Sequence, residues 1–219
     1  MPEAEQCLSD VRAAIARAAE LAGRKADDVT LIAISKTHPA EAIRPLLLAG
    51  QRDFGENRVQ EAAAKWPELR DQFPATRLHL VGQLQSNKAA EAVALFDVIH
   101  SVDRPSLIAA LAKAMAEQDK RLDCFIQVNL EGGEGKGGCA PSDLPAILDR
   151  ARDAGLSVSG LMCVPPEGLE PAPWFALLAK LADDHGLTQL SMGMSGDYET
   201  AVKIGATHVR VGTALFGKR

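Results

Sequence analysis

Short apolar runs that end in small or polar residues recur along this chain, and between them lie longer stretches with apolar residues at helical spacing. No other feature of the sequence limits the fold so tightly. Strand-length runs that are apolar throughout suit strands covered on both faces, and a helix between successive strands calls for crossover connections and a parallel sheet. The predicted strands are 31–35, 52–55, 78–82, 98–102, 124–129, 157–164, 189–192 and 208–211, eight in all. Amphipathic stretches at 40–49, 58–70, 89–95, 105–118, 144–154 and 174–185 lie between them, with a further helix expected at 198–204. An opening helix carries Ala13, Ala14, Ile15, Ala18, Ala19, Leu21 and Ala22, most of them on one face, and stops at Gly23.

Eight β/α units close naturally into a barrel that leaves no strand edge unpaired. The expected fold is therefore α/β: a single (β/α)8 barrel with an extra N-terminal helix, one domain over residues 1–219. A doubly wound open sheet has the same local alternation, although no GxGxxG follows any predicted strand. The run 132–138 is rich in glycine but lacks the spacing and the Lys-Ser/Thr ending of a phosphate loop, so it reads as a flexible loop after the fifth strand.

Charge and composition narrow the partners. A formal net charge of -5, with basic residues scattered along the chain, argues against nucleic acid, and 4% aromatic residues disfavour a base-stacking surface. The start of the chain is acidic and then amphipathic, without the pattern of a signal peptide or membrane span, so a cytoplasmic protein is expected. Cys7, Cys124, Cys139 and Cys163 are widely spaced with no CxxC pair, and read as reduced thiols rather than metal ligands.

In a β/α barrel the chemistry gathers where strands end. Those positions hold Lys36, Glu56, Asn57, Gln83, Asp103, Asn129, Cys163, Ser195, Arg210, Gly212 and Thr213. Taken singly, each has a plain structural reading as a cap, a turn residue or a solvated side chain. Ser195 and Gly196 precede a predicted helix, and Gly212 and Thr213 follow the eighth strand, which is where barrels of this type often bind phosphate. A capping serine and a turn glycine would account for the same residues. Closure of the barrel places Lys36, at the end of the first strand, beside the eighth. A lysine near an anchored phosphate suits an imine with a phosphorylated aldehyde, and desolvation with a neighbouring cation is the general route to the neutral amine that this requires.

Several motifs together resemble the pyridoxal 5′-phosphate homeostasis proteins. They are Ser35-Lys36-Thr37, Phe54-Gly55-Glu56-Asn57, His79-Leu80-Val81-Gly82, the run 190–197 and the closing run 209–217. The resemblance covers residues 5–219 and implies the barrel shared with the N-terminal domain of alanine racemase. It implies pyridoxal 5′-phosphate as cofactor, Lys36 as the residue forming the internal aldimine, and Ser195, Gly196, Gly212 and Thr213 as the phosphate cradle. Arg210 would face the pyridine nitrogen, and Asn57 joins the cofactor-binding set. Two positions depart from the family pattern: Leu78 stands where many relatives have tryptophan, and His38 where a second lysine is common.

Three functions are compatible with these residues. The resemblance implies a protein of cofactor homeostasis or supply, with pyridoxal 5′-phosphate and possible dependent apo-enzymes as partners, and a monomer is expected. A cofactor-dependent racemase would need an acid or base on each face of the imine, and the single tyrosine, Tyr198, reads as a packing residue. A lysine-imine aldolase acting on a sugar phosphate is the third.

Overall fold

The structure is a computed structural model that describes residues 2–132 and 137–217. Of the glycine-rich run expected as a flexible loop, residues 133–136 lie outside the described residues.

The chain opens with α1 (Pro2–Leu21) and then alternates strand and helix: β1 (Thr30–Ile34), α2 (Ala40–Leu48), β2 (Asp53–Glu56), α3 (Val59–Gln72), β3 (Arg77–Leu80), α4 (Ala89–Leu95), β4 (Val98–Val102) and α5 (Pro105–Glu117). The second half continues with β5 (Asp123–Gln127), α6 (Leu144–Asp153), β6 (Ser157–Met162), α7 (Ala172–Asp184), β7 (Gln189–Met194), α8 (Tyr198–Lys203), β8 (His208–Val211) and α9 (Thr213–Phe216). All eight strands are parallel and close in sequence order, β8 returning to β1 with Ile32 opposite Arg210 and Ala33 opposite Val211. Closure excludes the open doubly wound sheet.

Several elements differ from the sequence expectation: the strands expected over 78–82 and 124–129 stop at Leu80 and Gln127, and the one over 189–192 runs on to Met194. The strand expected over 157–164 stops at Met162, because Pro165 and Pro166 offer no backbone N–H to continue the ladder. One short helical turn, α9, follows β8, a segment too short to have a helical period.

Alternation along each strand sorts the side chains into two layers. Outward residues such as Ala33, Phe54, Leu78, Leu80, Ile99, Ile126, Leu161 and Val209 join the helices in one continuous apolar core. Leu8, Val11, Ile15 and Ala18 recur every three or four residues, so α1 buries one face of its own in that core, against α8, α9 and α2. Arg24, just beyond α1, donates to the carbonyls of Val202 (3.0 Å) and Ala206 (2.9 Å) and so satisfies acceptors at the end of α8.

The inner layer is different. Among the described residues, Val98, Phe125 and Met162 form a small apolar cluster there. Around them the buried barrel interior holds His79, His100, Ser191 and Arg210, where β/α barrels ordinarily carry layers of branched aliphatic residues.

Candidate functional site

At the C-terminal mouth of the barrel, a cavity of about 480 Å3 opens beside the β1–β8 seam. Lys36, Asn57, Ser195, Gly196, Arg210, Gly212 and Thr213 all line it, so closure of the sheet brings together every residue singled out for the cofactor. Ile34, Val81 and Val164 supply its apolar wall.

Lys36 sits in a turn that is fastened from below. The Lys65 ammonium, on α3, donates to the carbonyls of Ser35 (2.8 Å) and His38 (3.0 Å) on either side of it. The same ammonium pairs with Glu56 and Glu61, each at 2.9 Å. Glu61 also accepts the backbone N–H of Thr37, which holds this β-branched residue at φ 65°, a conformation it rarely adopts. Burial pulls the Glu61 carboxyl up, while the hydrogen bonds from Lys65 and Thr37 pull it down and prevail, leaving it below the usual carboxylate value.

Glu56, expected among the polar residues at the rim, turns away from the cavity into the layer between β2 and α3. Its Oε1 accepts from the Ser35 hydroxyl (2.6 Å) and the Trp66 indole (2.9 Å) as well as pairing with Lys65. Its Oε2 is buried with no partner among the described residues. Two hydrogen-bond donors and an ammonium gathered at one oxygen make the carboxylate a structural anchor beneath the lysine turn.

Arg210 enters the cavity from the barrel interior. It donates to the Ser191 hydroxyl (2.7 Å) and to the carbonyl of Cys163 (2.8 Å), and among the described residues no carboxylate pairs with it. Burial pulls its pKa down, against opposing influences from Cys163 and Asp197, yet arginine does not release its proton in proteins. A desolvated cation without a counter-ion, facing a cavity, favours an electron-rich group placed there.

The loops after β7 and β8 are tied to each other: the N–H of Gly212 donates to Ser195 Oγ at 3.1 Å. Gly196 and Thr213 border the first turns of α8 and α9, where helix geometry leaves N–H groups without acceptors in their own helix. Asn57 depends on a glycine across the rim. A β-carbon at Gly82 would stand 2.2 Å from the Asn57 carbonyl oxygen, so only glycine lets the two loops approach.

Other rim residues serve the loop after β5 instead of the cavity. Gln83 donates to Gln127, Asp103 accepts the N–H of Gly138 (3.1 Å), and Asn129 accepts those of Glu131 and Gly132 (3.2 Å each) in a local turn. Tyr198 packs in the main core and does not line the cavity. His38 lines it and stacks on Phe216, with ring centroids 4.4 Å apart.

Sequence reasoning missed the residues behind the site: Lys65, Asp53, His100 and Ser191. A signal existed for the last two, each a polar residue flanked by apolar ones within a predicted strand: His100 follows Val98 and Ile99, and Ser191 stands between Leu190 and Met192. Lys65 carried none, being one basic residue on an amphipathic helix.

The chain matches the family profile of the alanine racemase N-terminal domain over residues 8–219. It is 43% identical over 218 residues to the pyridoxal phosphate homeostasis protein of Pseudomonas aeruginosa, covering 97% of this chain and 94% of that one. The corresponding protein of Aquifex aeolicus is 38% identical over 222 residues, covering 97% and 96%. The structure of PipY from Synechococcus elongatus PCC7942 with PLP bound superposes with a TM-score of 0.80 at 45% identity, covering 93% of this chain and all, 100%, of that one. Alanine racemase of Clostridium difficile 630, at 12% identity, shares the fold alone, with a TM-score of 0.70 over 88% of this chain and 53% of that one.

Proposed function

Because this chain belongs to the pyridoxal phosphate homeostasis protein family, we propose that it holds pyridoxal 5′-phosphate in the β1–β8 cavity as an imine of Lys36. In this reading it serves intracellular homeostasis or supply of the cofactor without efficient turnover of amino acids. The observation that carries the proposal is the joining, in one cavity, of a clamped lysine turn and a buried arginine that has no carboxylate partner among the described residues.

The residues fit the group. Lys36 supplies the amine for the aldehyde, Ser195 and Gly212 form a joined pair of loops suited to the phosphate, and Arg210 faces the ring. When bound, pyridoxal 5′-phosphate supplies a carbonyl that condenses with amines and a ring that withdraws electrons. An arginine donor leaves the ring nitrogen an unprotonated acceptor, so the ring withdraws electrons less strongly than one paired with a carboxylate. Tyr198, the single tyrosine of the chain, packs in the core and does not face Lys36 across an imine, which supports retention over racemisation by a lysine–tyrosine pair.

Borohydride reduction followed by intact-protein mass measurement tests the proposal. The expected result is one reduced adduct of the cofactor on the wild type and none on K36A. An adduct of equal yield on K36A would refute the attachment site, and ordinary enzymatic racemisation by the purified protein would refute the reading as a non-catalytic holder.

A further inference from the structure

The polar residues inside the barrel form a single line. Arg210 Nη1 lies 2.7 Å from Ser191 Oγ, and Ser191 Oγ lies 2.9 Å from His100 Nδ1. His100 Nε2 is 2.9 Å from His79 Nδ1, and His79 Nε2 is 3.0 Å from Asp53 Oδ1. The line crosses from β8 and β7 to β4, β3 and β2. Ser191, His100 and His79 are completely buried, whereas Asp53 is 23% exposed at the start of β2, beside Thr30 and Arg52 on the opposite face of the barrel.

The two ends, taken with a neutral His79, fix the direction of every bond. A guanidinium can only donate, so Ser191 Oγ accepts from Arg210 and its own proton is free to go to His100 Nδ1. A carboxylate can only accept, so His79 Nε2 carries its proton. With His79 neutral, its Nδ1 accepts, and His100 must donate from Nε2. All four bonds then run from the cation to the anion with no donor facing a donor. Burial, with His79, His208, Arg210 and Arg77 as the charged or titratable groups facing it, holds the His100 pKa well below the ordinary histidine value, which agrees with a neutral ring.

We propose that Ser191, His100, His79 and Asp53 are positioning residues that orient Arg210 toward the cofactor ring through this one-directional chain. The chain takes the place of the direct carboxylate partner that a buried arginine usually has. Aligned hydrogen bonds polarise one another, so Asp53 acts on the guanidinium across the barrel without touching it. The role assigned to Arg210 rests on the cofactor reading above; the order of protons in the chain does not.

Long-range proton–nitrogen NMR of the histidine rings in the cofactor-free protein tests the order directly. Both His79 and His100 are expected as neutral Nε2–H tautomers. An Nδ1–H tautomer at either position, or protonation of both nitrogens of His79, overturns the chain as drawn. The positioning role is read from H100F and S191A, which break the line at different joints and leave the cavity lining untouched. Each is expected to weaken cofactor binding about fivefold, with a shifted absorption band and the reduced Lys36 adduct retained, and the double variant is expected to be no worse than S191A alone. Unchanged affinity and spectrum in a folded H100F would end the positioning role, as would fully additive losses. Should both variants fail to fold, the wild-type tautomers still decide the matter. A wild-type protein that forms no adduct refutes the cofactor reading and leaves the tautomer result to judge the chain.

Discussion

At the scale of single residues, one ammonium carries more of the site than the lysine at its centre. Lys65 is 9% exposed and pairs with Glu56, which is fully buried, while fixing the backbone on both sides of Lys36. Removing one partner of a buried pair strands the other charge, whereas removing both can be nearly neutral. K65M, which keeps the apolar stem, is therefore expected to lower stability by about 3 kcal/mol in urea denaturation. Adding E56Q should recover part of that loss. A loss in K65M no larger than that of an ordinary surface substitution would refute the anchoring role of Lys65. Lys36 was legible because it ends an apolar run. Lys65 was not, because its partners come from the turn after β1, from β2 and from its own helix, and no spacing in the sequence announces that meeting.

Between elements, the turn after β1 is held to α3 by two carboxylates of different character. Glu56 is fully buried, while Glu61 is partly exposed. The Glu61 carboxyl sits below its ordinary value of 4.5 in the folded chain. A depressed carboxylate stabilises fully above its unfolded pKa, and that contribution disappears as pH falls through the folded one. The stability gap between wild type and E61Q should accordingly be constant above pH ~4.5 and narrow below it. A gap that widened on acidification would mean that Lys65 and Thr37 do not hold the carboxylate as described. The elements themselves were largely readable, since period and punctuation mark strands and helices. Where β6 ends was set by two prolines, and α9 was too short to leave a pattern.

For the molecule as a whole, the unusual quantity is the number of neutral histidines in the barrel. Burial, reinforced by the neighbouring His79, brings His208 down to about 3, and His100 also lies well below 6.5. Both must gain a proton on unfolding in mild acid. Their share of stability is complete above the unfolded pKa of 6.5 and is lost as pH falls toward the folded values, at ~1.4 kcal/mol per pH unit for each ring. Urea denaturation at pH 7 and pH 5 should differ by about 2 kcal/mol or more in favour of pH 7. Equal stability at the two values would mean that these rings are not buried neutral. The thiols have no such effect: Cys124, Cys139 and Cys163 are each pushed up to about 12, chiefly by burial, so they stay protonated and inert at neutral pH. The sequence alone determined the eightfold alternation, the strand ends to within about two residues, and hence Lys36, Ser195 and Arg210 as candidates, because these follow from periodicities along a line. Only the closed barrel decided that Lys36 and Arg210 share one cavity and that Arg210 reaches Asp53 through Ser191 and two histidines. Those contacts join residues from separate strands, and their geometry is set by shear and closure rather than by any local preference of the chain.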